Sequence, residues 1–343
     1  MSRKLIFRGI VLVVVLGAAY RMFMSQPEYS LNHVTGQTMG TIQYNVKYLG
    51  EDVPNYKRAI DSILIAFNQS LSTYIPNSEI SRLNTTGSLV NPSETFMDVL
   101  NQSKFIYEAT DGAFDPTVGP LVSAWGFGAD RKPTIPDSLA VDSLRQIVGF
   151  NKMVIESNVS MDSSMYLDFS AIAKGYAVDL VAEFLEGKGF ENYMVEIGGE
   201  VRAKGQNDQN EIWKIGIEDP LVAIDEQRLL AIVQLKDRAM ATSGNYRNYY
   251  QVGERTIAHT IDPRTGYNTT HNLLSASVFA YDCMTADAYA TAFMVLGVEG
   301  AKEVAANSNL DIFLTYTDQK GDLRSFVSEG VQPYLEMNKL SAD

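Results

Sequence analysis

The segment from Ala258 to Tyr267 brings His259, Thr260, Asp262, Arg264 and Thr265 into one short run. It thus holds a proton acceptor, a carboxylate, a guanidinium and several hydroxyls. A histidine changes charge near neutral pH, and Asp262-Pro263-Arg264-Thr265-Gly266 spells a tight turn that would present these groups. The alternative is a hydrogen-bonded structural histidine. A second run, Thr285 to Thr291, places Asp287 and Thr291 at i and i+4 of a predicted helix, on one face. Ala286, Ala288, Ala290 and Ala292 leave that helix open to close approach. A carboxylate and a hydroxyl side by side suit a hard, oxygen-seeking cation such as Mg²⁺, which keeps waters and takes few protein ligands. The competing reading is a close-packed helix in which Thr291 bonds its own backbone.

Other segments could meet an anion or a flat ring. In Asp168 to Asp179, small residues stand where a strand should enter a helix, with Lys174 and Gly175 in its first turn. Free amides there attract a phosphate, and Lys174 adds a point charge. The spacing is not that of a Walker loop. Gly198-Gly199 and Thr242-Ser243-Gly244 are further turns where backbone can lie against a ligand. Asp111 to Gly119 sets Asp115 before a proline bend, and Trp125 follows among glycines, able to stack or to serve as core. Cys283 is the only cysteine, which excludes an internal disulfide and a cysteine zinc cluster.

The elements that must position these groups follow from periodicity. Residues 41–48 alternate as a strand, and Tyr56, Ile60, Ile63, Phe67 and Leu71 mark one helical face. Asn91-Pro92-Ser93-Glu94 predicts a second helix with an Asn cap, ending at Asp111-Gly112. Ser170 to Gly189 reads as a helix between strands at 152–159 and 192–197. Further strands are expected at 212–217, 228–236, 274–281 and 311–316, with helices at 284–296 and 299–307. Strands and helices mix without strict alternation, so the fold class is α+β: mixed sheets with packed helices, in a two-lobed catalytic unit. The expected divisions are a signal or membrane anchor at 1–24, a tether at 25–36, one catalytic domain at 37–330 and a tail at 331–343.

The chain has 343 residues, 45% of them hydrophobic, enough for a large core. Its formal charge is −13, and residues 1–24 hold Arg3, Lys4, Arg8 and Arg21 but no acid, so the remainder is more acidic still. Nucleic acid is excluded as a general partner, because binding it needs the opposite sign. Basic residues followed by the apolar run Ile10 to Ala19 predict export. Gly17 and Ala19 allow cleavage; retention of Leu5 to Met24 as a single anchor is favoured, and no N-terminal cysteine is present for lipid attachment.

Eight segments occur in the order seen in the ApbE family of FAD:protein FMN transferases. They are Met39-Gly-Thr41, Leu71 to Tyr74 with Ser78 to Asn84, Asp111 to Gly119, Ser170 to Asp179, Glu196 to Glu200, Thr242 to Asn245, His259 to Gly266, and Ala286 to Thr291. The chain resembles that family over about residues 36–320. The resemblance implies a Mg²⁺-dependent enzyme that takes FAD as substrate. It would transfer the FMN half to a threonine hydroxyl, in an exposed motif of an extracytoplasmic acceptor flavoprotein, and release AMP. It further implies Asp287, Thr291 and the Ala173 carbonyl as metal ligands and Tyr74 against the isoalloxazine ring. Met39, Asp115, Lys174, Glu196 and Ser243 would be FAD contacts and His259 the catalytic base. Enzyme and acceptor would work on the periplasmic side of the cell inner membrane. Two alternatives stand beside this: an FAD pyrophosphatase giving FMN and AMP, and a non-catalytic exported FAD-binding protein.

Overall fold

The computed structural model describes residues 30–51, 53–127, 133–222, 228–245, 249–252 and 255–338. Its frame is an eight-stranded sheet: β1 Ser30–Thr38, β2 Ile42–Gly50, β3 Tyr193–Ile197, β4 Glu200–Lys204, β5 Arg238–Gly244, β6 Leu273–Ala280, β7 Asp311–Thr317 and β8 Leu323–Val327. The strands lie side by side in chain order and each pair is antiparallel. Such a meander requires only hairpin-length connections. Every longer connection is therefore an insertion hung on the sheet, and the insertions carry the candidate site.

The largest insertion, between β2 and β3, holds α1 Lys57–Leu71, α2 Glu79–Thr86, α3 Glu94–Ala109, α4 Gly119–Ala124, α5 Ser138–Arg145 and α6 Ala173–Gly187. Between β6 and β7 lies α7, Cys283–Asn307. Strands Trp213–Glu218 and Leu229–Leu235 are inserted between β4 and β5, and the hairpin Tyr249–Val252 with Arg255–Ala258 between β5 and β6.

The pleat sends alternate residues to opposite faces. Ala239, Ala241, Ala276, Val278, Ile312 and Leu314 join the helical core with Tyr176, Val178, Ala288 and Phe293. Met240, Phe279 and Phe313 point the other way, onto Trp213, Ile217 and Val233 of the smaller sheet. With both faces covered, β5, β6 and β7 each carry consecutive apolar residues, Ala239 to Ala241, Val278 to Ala280 and Ile312 to Leu314. A third cluster of Leu121, Trp125, Val141, Val148, Ile257 and Ile261 builds a small lobe from α4, α5 and the inserted hairpin. The α+β, two-lobed expectation holds.

Several boundaries differ from those expected. The expected tether contains β1, which pairs with β2 from Ser30 opposite Gly50 to Thr38 opposite Ile42. It is an edge strand with only Val34 and Thr38 buried, so its sequence carries little apolar signal. At the other end, Leu335–Met337 pairs with Ala231 to Val233 rather than trailing as a tail. The folded unit thus spans at least 30–338, in place of 37–330. Ser93, not Asn91, caps α3, its side chain accepting the Phe96 N–H at 3.2 Å. The expected strand at 152–159 is a small hairpin of Val154–Ile155 and Val159–Ser160, and the helix expected from Ser170 begins at Ala173. The two C-terminal helices expected at 284–296 and 299–307 are present: the span α7 is broken at Gly297, whose φ of 73 and ψ of −176 are not helical. The expected anchor at 1–24 lies outside the described residues; among those described, no helix is long and apolar enough to cross a membrane.

Candidate active site

Asp287 sits in the second turn of α7 with its side chain buried, and its Oδ2 accepts the Gly175 N–H at 2.9 Å. No donor among the described residues reaches Oδ1. One turn on, Thr291 Oγ1 is 3.2 Å from Ser243 Oγ near the end of β5. This closeness depends on glycine: a Cβ at Gly175 would collide with the Cys283 carbonyl and lie 2.8 Å from the Met284 amide nitrogen. Gly175→Ala should therefore push α6 away from α7 and cost about 1–3 kcal/mol, the range for overpacking. Urea unfolding checks it against Gly187→Ala at the far end of α6, where an added Cβ meets nothing within 4 Å. Equal midpoints for the two variants would mean the helices are not in forced contact.

Lys174, one residue before Gly175, forms an ion pair with Glu200 at the start of β4. Burial alone would lower the Lys174 pKa, but the Asp287 and Glu200 carboxylates outweigh it and hold the ammonium charged. Burial pushes Glu200 up to about 7 against the pull of Lys174, and it raises Asp287 as well. Glu200 Oε2 is buried with no hydrogen-bond partner among the described residues. Two buried carboxylates thus share one cation. Ala173, also buried, opens α6 and donates its N–H to the Phe169 carbonyl at 2.8 Å.

Glu196 is committed locally: its Oε1 accepts the Gly199 N–H at 2.8 Å and its Oε2 the Asn45 amide at 2.6 Å. It thereby fixes the turn at Gly198 and Gly199, both of positive φ. A Cβ at Gly198 would fall 2.8 Å from Ile42 Cγ2 and 3.7 Å from Lys174 Cδ, so this turn bridges the start of β2 to the lysine. Just before Ile42 opens a cavity of about 660 Å³ lined by Met39, Gly40, Thr41, Ile65, Tyr74 and Ile75. Met39 occupies the β1–β2 turn at φ 47. Tyr74 is 88% exposed at the cavity edge, on a loop pinned by the Ser78 hydroxyl to the Ser72 carbonyl at 2.7 Å.

Asp115 and His259 belong to the small-lobe side. Asp115 is buried; its Oδ1 accepts the Thr117 N–H and hydroxyl at 2.8 and 2.6 Å and its Oδ2 the Phe150 N–H at 3.2 Å. Burial raises its pKa. The carboxylate therefore braces its own bend. The His259 ring centroid is 6.2 Å from that of Phe127. Its neighbour Thr260 hydrogen-bonds to Asn245, two residues beyond Ser243, so the histidine segment is stitched to the strand end that meets Thr291. Trp125 is core in the small lobe, its Nε1 donating to the Gly266 carbonyl at 2.8 Å. Asp262 pairs with Arg264 at 2.9 Å and closes that turn.

Ala173, Lys174, Ser243, Asp287 and Thr291 thus converge, Met39 and Tyr74 share the cavity, and Glu196 holds the turn between them, while Asp115 lines a separate pocket with Asp111, Arg145 and Arg264. Sequence reasoning did not single out Glu200 or the buried pair of Asp179 and Arg202. The available signal was two charges, Glu200 and Arg202, alternating in a strand whose neighbours are apolar. Cys283 is fully buried, and burial pushes its thiol pKa well up, as expected of a packing residue.

The family model described as "ApbE family" matches residues 39–314. An FAD:protein FMN transferase of Vibrio cholerae is 38% identical over 312 residues, spanning 88% of this chain and 92% of its own. One of Escherichia coli K12 is 33% identical over 95% and 98% of the two chains. Among solved structures, the flavin transferase ApbE from Vibrio cholerae superposes with a TM-score of 0.79 at 37% identity, covering 89% of this chain and 99% of that one. The apo flavinyl transferase ApbE of Pseudomonas stutzeri has the same score at 31% identity, over 89% and 97%. The family model's span takes in the sheet from β2 into β7, both helices of the carboxylate cluster and the small lobe. The chain belongs to the ApbE family, and it is an enzyme.

Proposed function

We propose that this enzyme is an FAD:protein FMN transferase. It moves the FMN moiety of FAD to a threonine hydroxyl of an extracytoplasmic acceptor flavoprotein and releases AMP, with Mg²⁺ as its metal. The observation that carries this reading is the convergence of Lys174, Asp287 and Thr291, with the Gly198 turn linking Lys174 to the start of β2 beside the Met39 and Tyr74 cavity. One end of that arrangement suits an anion with its cation, and the other a flat aromatic ring.

The residues fit the metal. Among the described residues Asp287 Oδ1 has no donor, Thr291 adds a hydroxyl, and a cluster with more buried carboxylate than lysine favours an incoming divalent cation. Asp287, Thr291 and the Ala173 carbonyl would hold it. All are oxygen donors, suited to Mg²⁺ and also to Mn²⁺. When bound, the ion screens the pyrophosphate charge and polarises phosphorus. Met39 and Tyr74 clasp the isoalloxazine ring, and Lys174 pairs with a phosphate oxygen, leaving Glu200 for it. Ser243 bonds FAD beside Thr291. Glu196 and Asp115 border FAD and shape the turns that contact it. His259 takes the proton from the acceptor threonine as its oxygen attacks phosphorus.

Purified enzyme given FAD, Mg²⁺ and a threonine-bearing acceptor should yield a fluorescent covalent acceptor band. Free FMN alone would make the enzyme a pyrophosphatase, and unchanged FAD a binding protein. For location, we propose attachment to the inner membrane by an uncleaved segment at 1–24, with the catalytic unit on the periplasmic side. Arg3, Lys4 and Arg8 hold the N-terminus inside. Membrane fractionation with N-terminal sequencing should find the intact start in the membrane pellet; a soluble form beginning at Tyr20 would overturn the anchor.

A further inference from the structure

We infer that Asp179 and Arg202 are positioning residues that set metal affinity by locking α7 against α6, an inference that rests on the Mg²⁺ reading of Asp287 and Thr291. The two helices tie each other's first turns. Asp287 of α7 accepts the Gly175 N–H of α6 at 2.9 Å. In return Asp179 of α6 accepts two first-turn amides of α7, Cys283 N–H at 2.9 Å on Oδ1 and Met284 N–H at 2.8 Å on Oδ2. Gly175 and Asp179 are i and i+4 on α6, and Cys283 and Asp287 are i and i+4 on α7, so both ties lie on facing stripes. Together they fix the rotation of α7, and with it the direction of Asp287 Oδ1 and of the Thr291 hydroxyl.

Asp179 is buried, and burial raises its pKa to about 7 even though Arg202 and the amides oppose this. Arg202 supplies the counter-charge from β4, its Nη1 donating to Asp179 Oδ1 at 2.8 Å and its Nη2 lying 3.6 Å from Glu186. It stands two residues after Glu200, the partner of Lys174. One strand thus carries the counter-ion of each tie: Glu200 beside the Asp287 end and Arg202 beside the Asp179 end. Asp282 separately caps α7 at the Thr285 N–H, 2.8 Å, so the helix keeps its cap when Asp179 is altered.

Asp179→Asn keeps the size of the side chain but presents an NH₂ where one of the two amides needs an acceptor. Arg202→Lys keeps the charge and loses the fork. The test measures Mn²⁺ binding to the FAD-loaded full-length protein by electron paramagnetic resonance, beside the Mg²⁺ dependence of transfer and the melting temperature. Groups that orient metal ligands change affinity by about 10–100-fold. We expect Asp179→Asn to weaken Mn²⁺ binding within that range, Arg202→Lys to weaken it less, and excess Mg²⁺ to restore much of the transfer rate. A folded Asp179→Asn with wild-type Mn²⁺ affinity overturns the inference, while Asp287→Asn still losing the metal leaves the Mg²⁺ reading standing. If the wild type binds no Mn²⁺, both fall. Should Asp179→Asn fail to fold, Arg202→Lys decides: unchanged Mn²⁺ affinity in that variant overturns the inference.

Discussion

Asp287→Asn is expected to lower Mg²⁺-dependent flavin transfer by about 10³-fold or more and to leave the protein folded. Asparagine keeps an oxygen for the Gly175 N–H, so the tie between α6 and α7 survives. What disappears is the only carboxylate among the proposed ligands. A metal's stabilisation of phosphoryl charge amounts to several kcal/mol; about 4 kcal/mol is roughly a thousandfold in rate. Stability should not suffer, since burial raises the pKa of this carboxylate and the substitution removes a poorly solvated charge. The measurement is initial rate against Mg²⁺ concentration, with circular dichroism to confirm the fold. Thr291→Val should do less, because a neutral hydroxyl contributes less to holding a dication. A Thr291→Val variant more impaired than Asp287→Asn would reverse the ranking of the two ligands, and near-normal Mg²⁺-dependent activity in Asp287→Asn would remove it from the metal site.

The candidate site was legible where chemistry is encoded locally. Asp287 and Thr291 fall on one helical face by arithmetic, and Lys174-Gly175 at a helix start follows from the small residues before it. The expected site missed groups that depend on the register of distant strands. Glu200 meets Lys174, and Arg202 meets Asp179, only because β4 lies beside β3 and the helical insertion returns α6 over that sheet. No period within the chain announces such a pairing. The same holds for β1, which is a strand because β2 offers it an edge. Its own sequence supplies two buried side chains. Asn91 failed as a cap for a local reason. Its φ of 48 places it in the turn before the helix, while the Ser93 hydroxyl both caps α3 and bonds Glu79 of α2. A cap that also joins two helices is selected by the second contact as much as by the first. The meander order was hidden for a further reason: its neighbours are separated by insertions of very different length, so spacing along the chain says little about spacing in the sheet.

His259→Ala is expected to slow transfer by about 10²–10⁴-fold, the usual contribution of a general base, while FAD affinity changes far less. The reasoning is positional. The ring lies beside Phe127 at the edge of the small lobe, and its segment is tied through Thr260 and Asn245 to the strand end carrying Ser243. The proposed FAD contacts at Met39, Tyr74 and Lys174 belong to other segments of the chain, so removing the imidazole should leave them in place. In the proposed reaction the acceptor hydroxyl must lose its proton as it attacks, and without the imidazole it would have to pass it to water. Single-turnover transfer with acceptor in excess gives the chemical step, and quenching of flavin fluorescence gives FAD affinity. Added imidazole should restore part of the rate in His259→Ala, since the substitution empties a ring-sized space next to Phe127. Equal losses in rate and affinity, with no rescue, would make His259 a ligand contact or a brace for its turn, and would leave the proton acceptor to be sought elsewhere in the cleft.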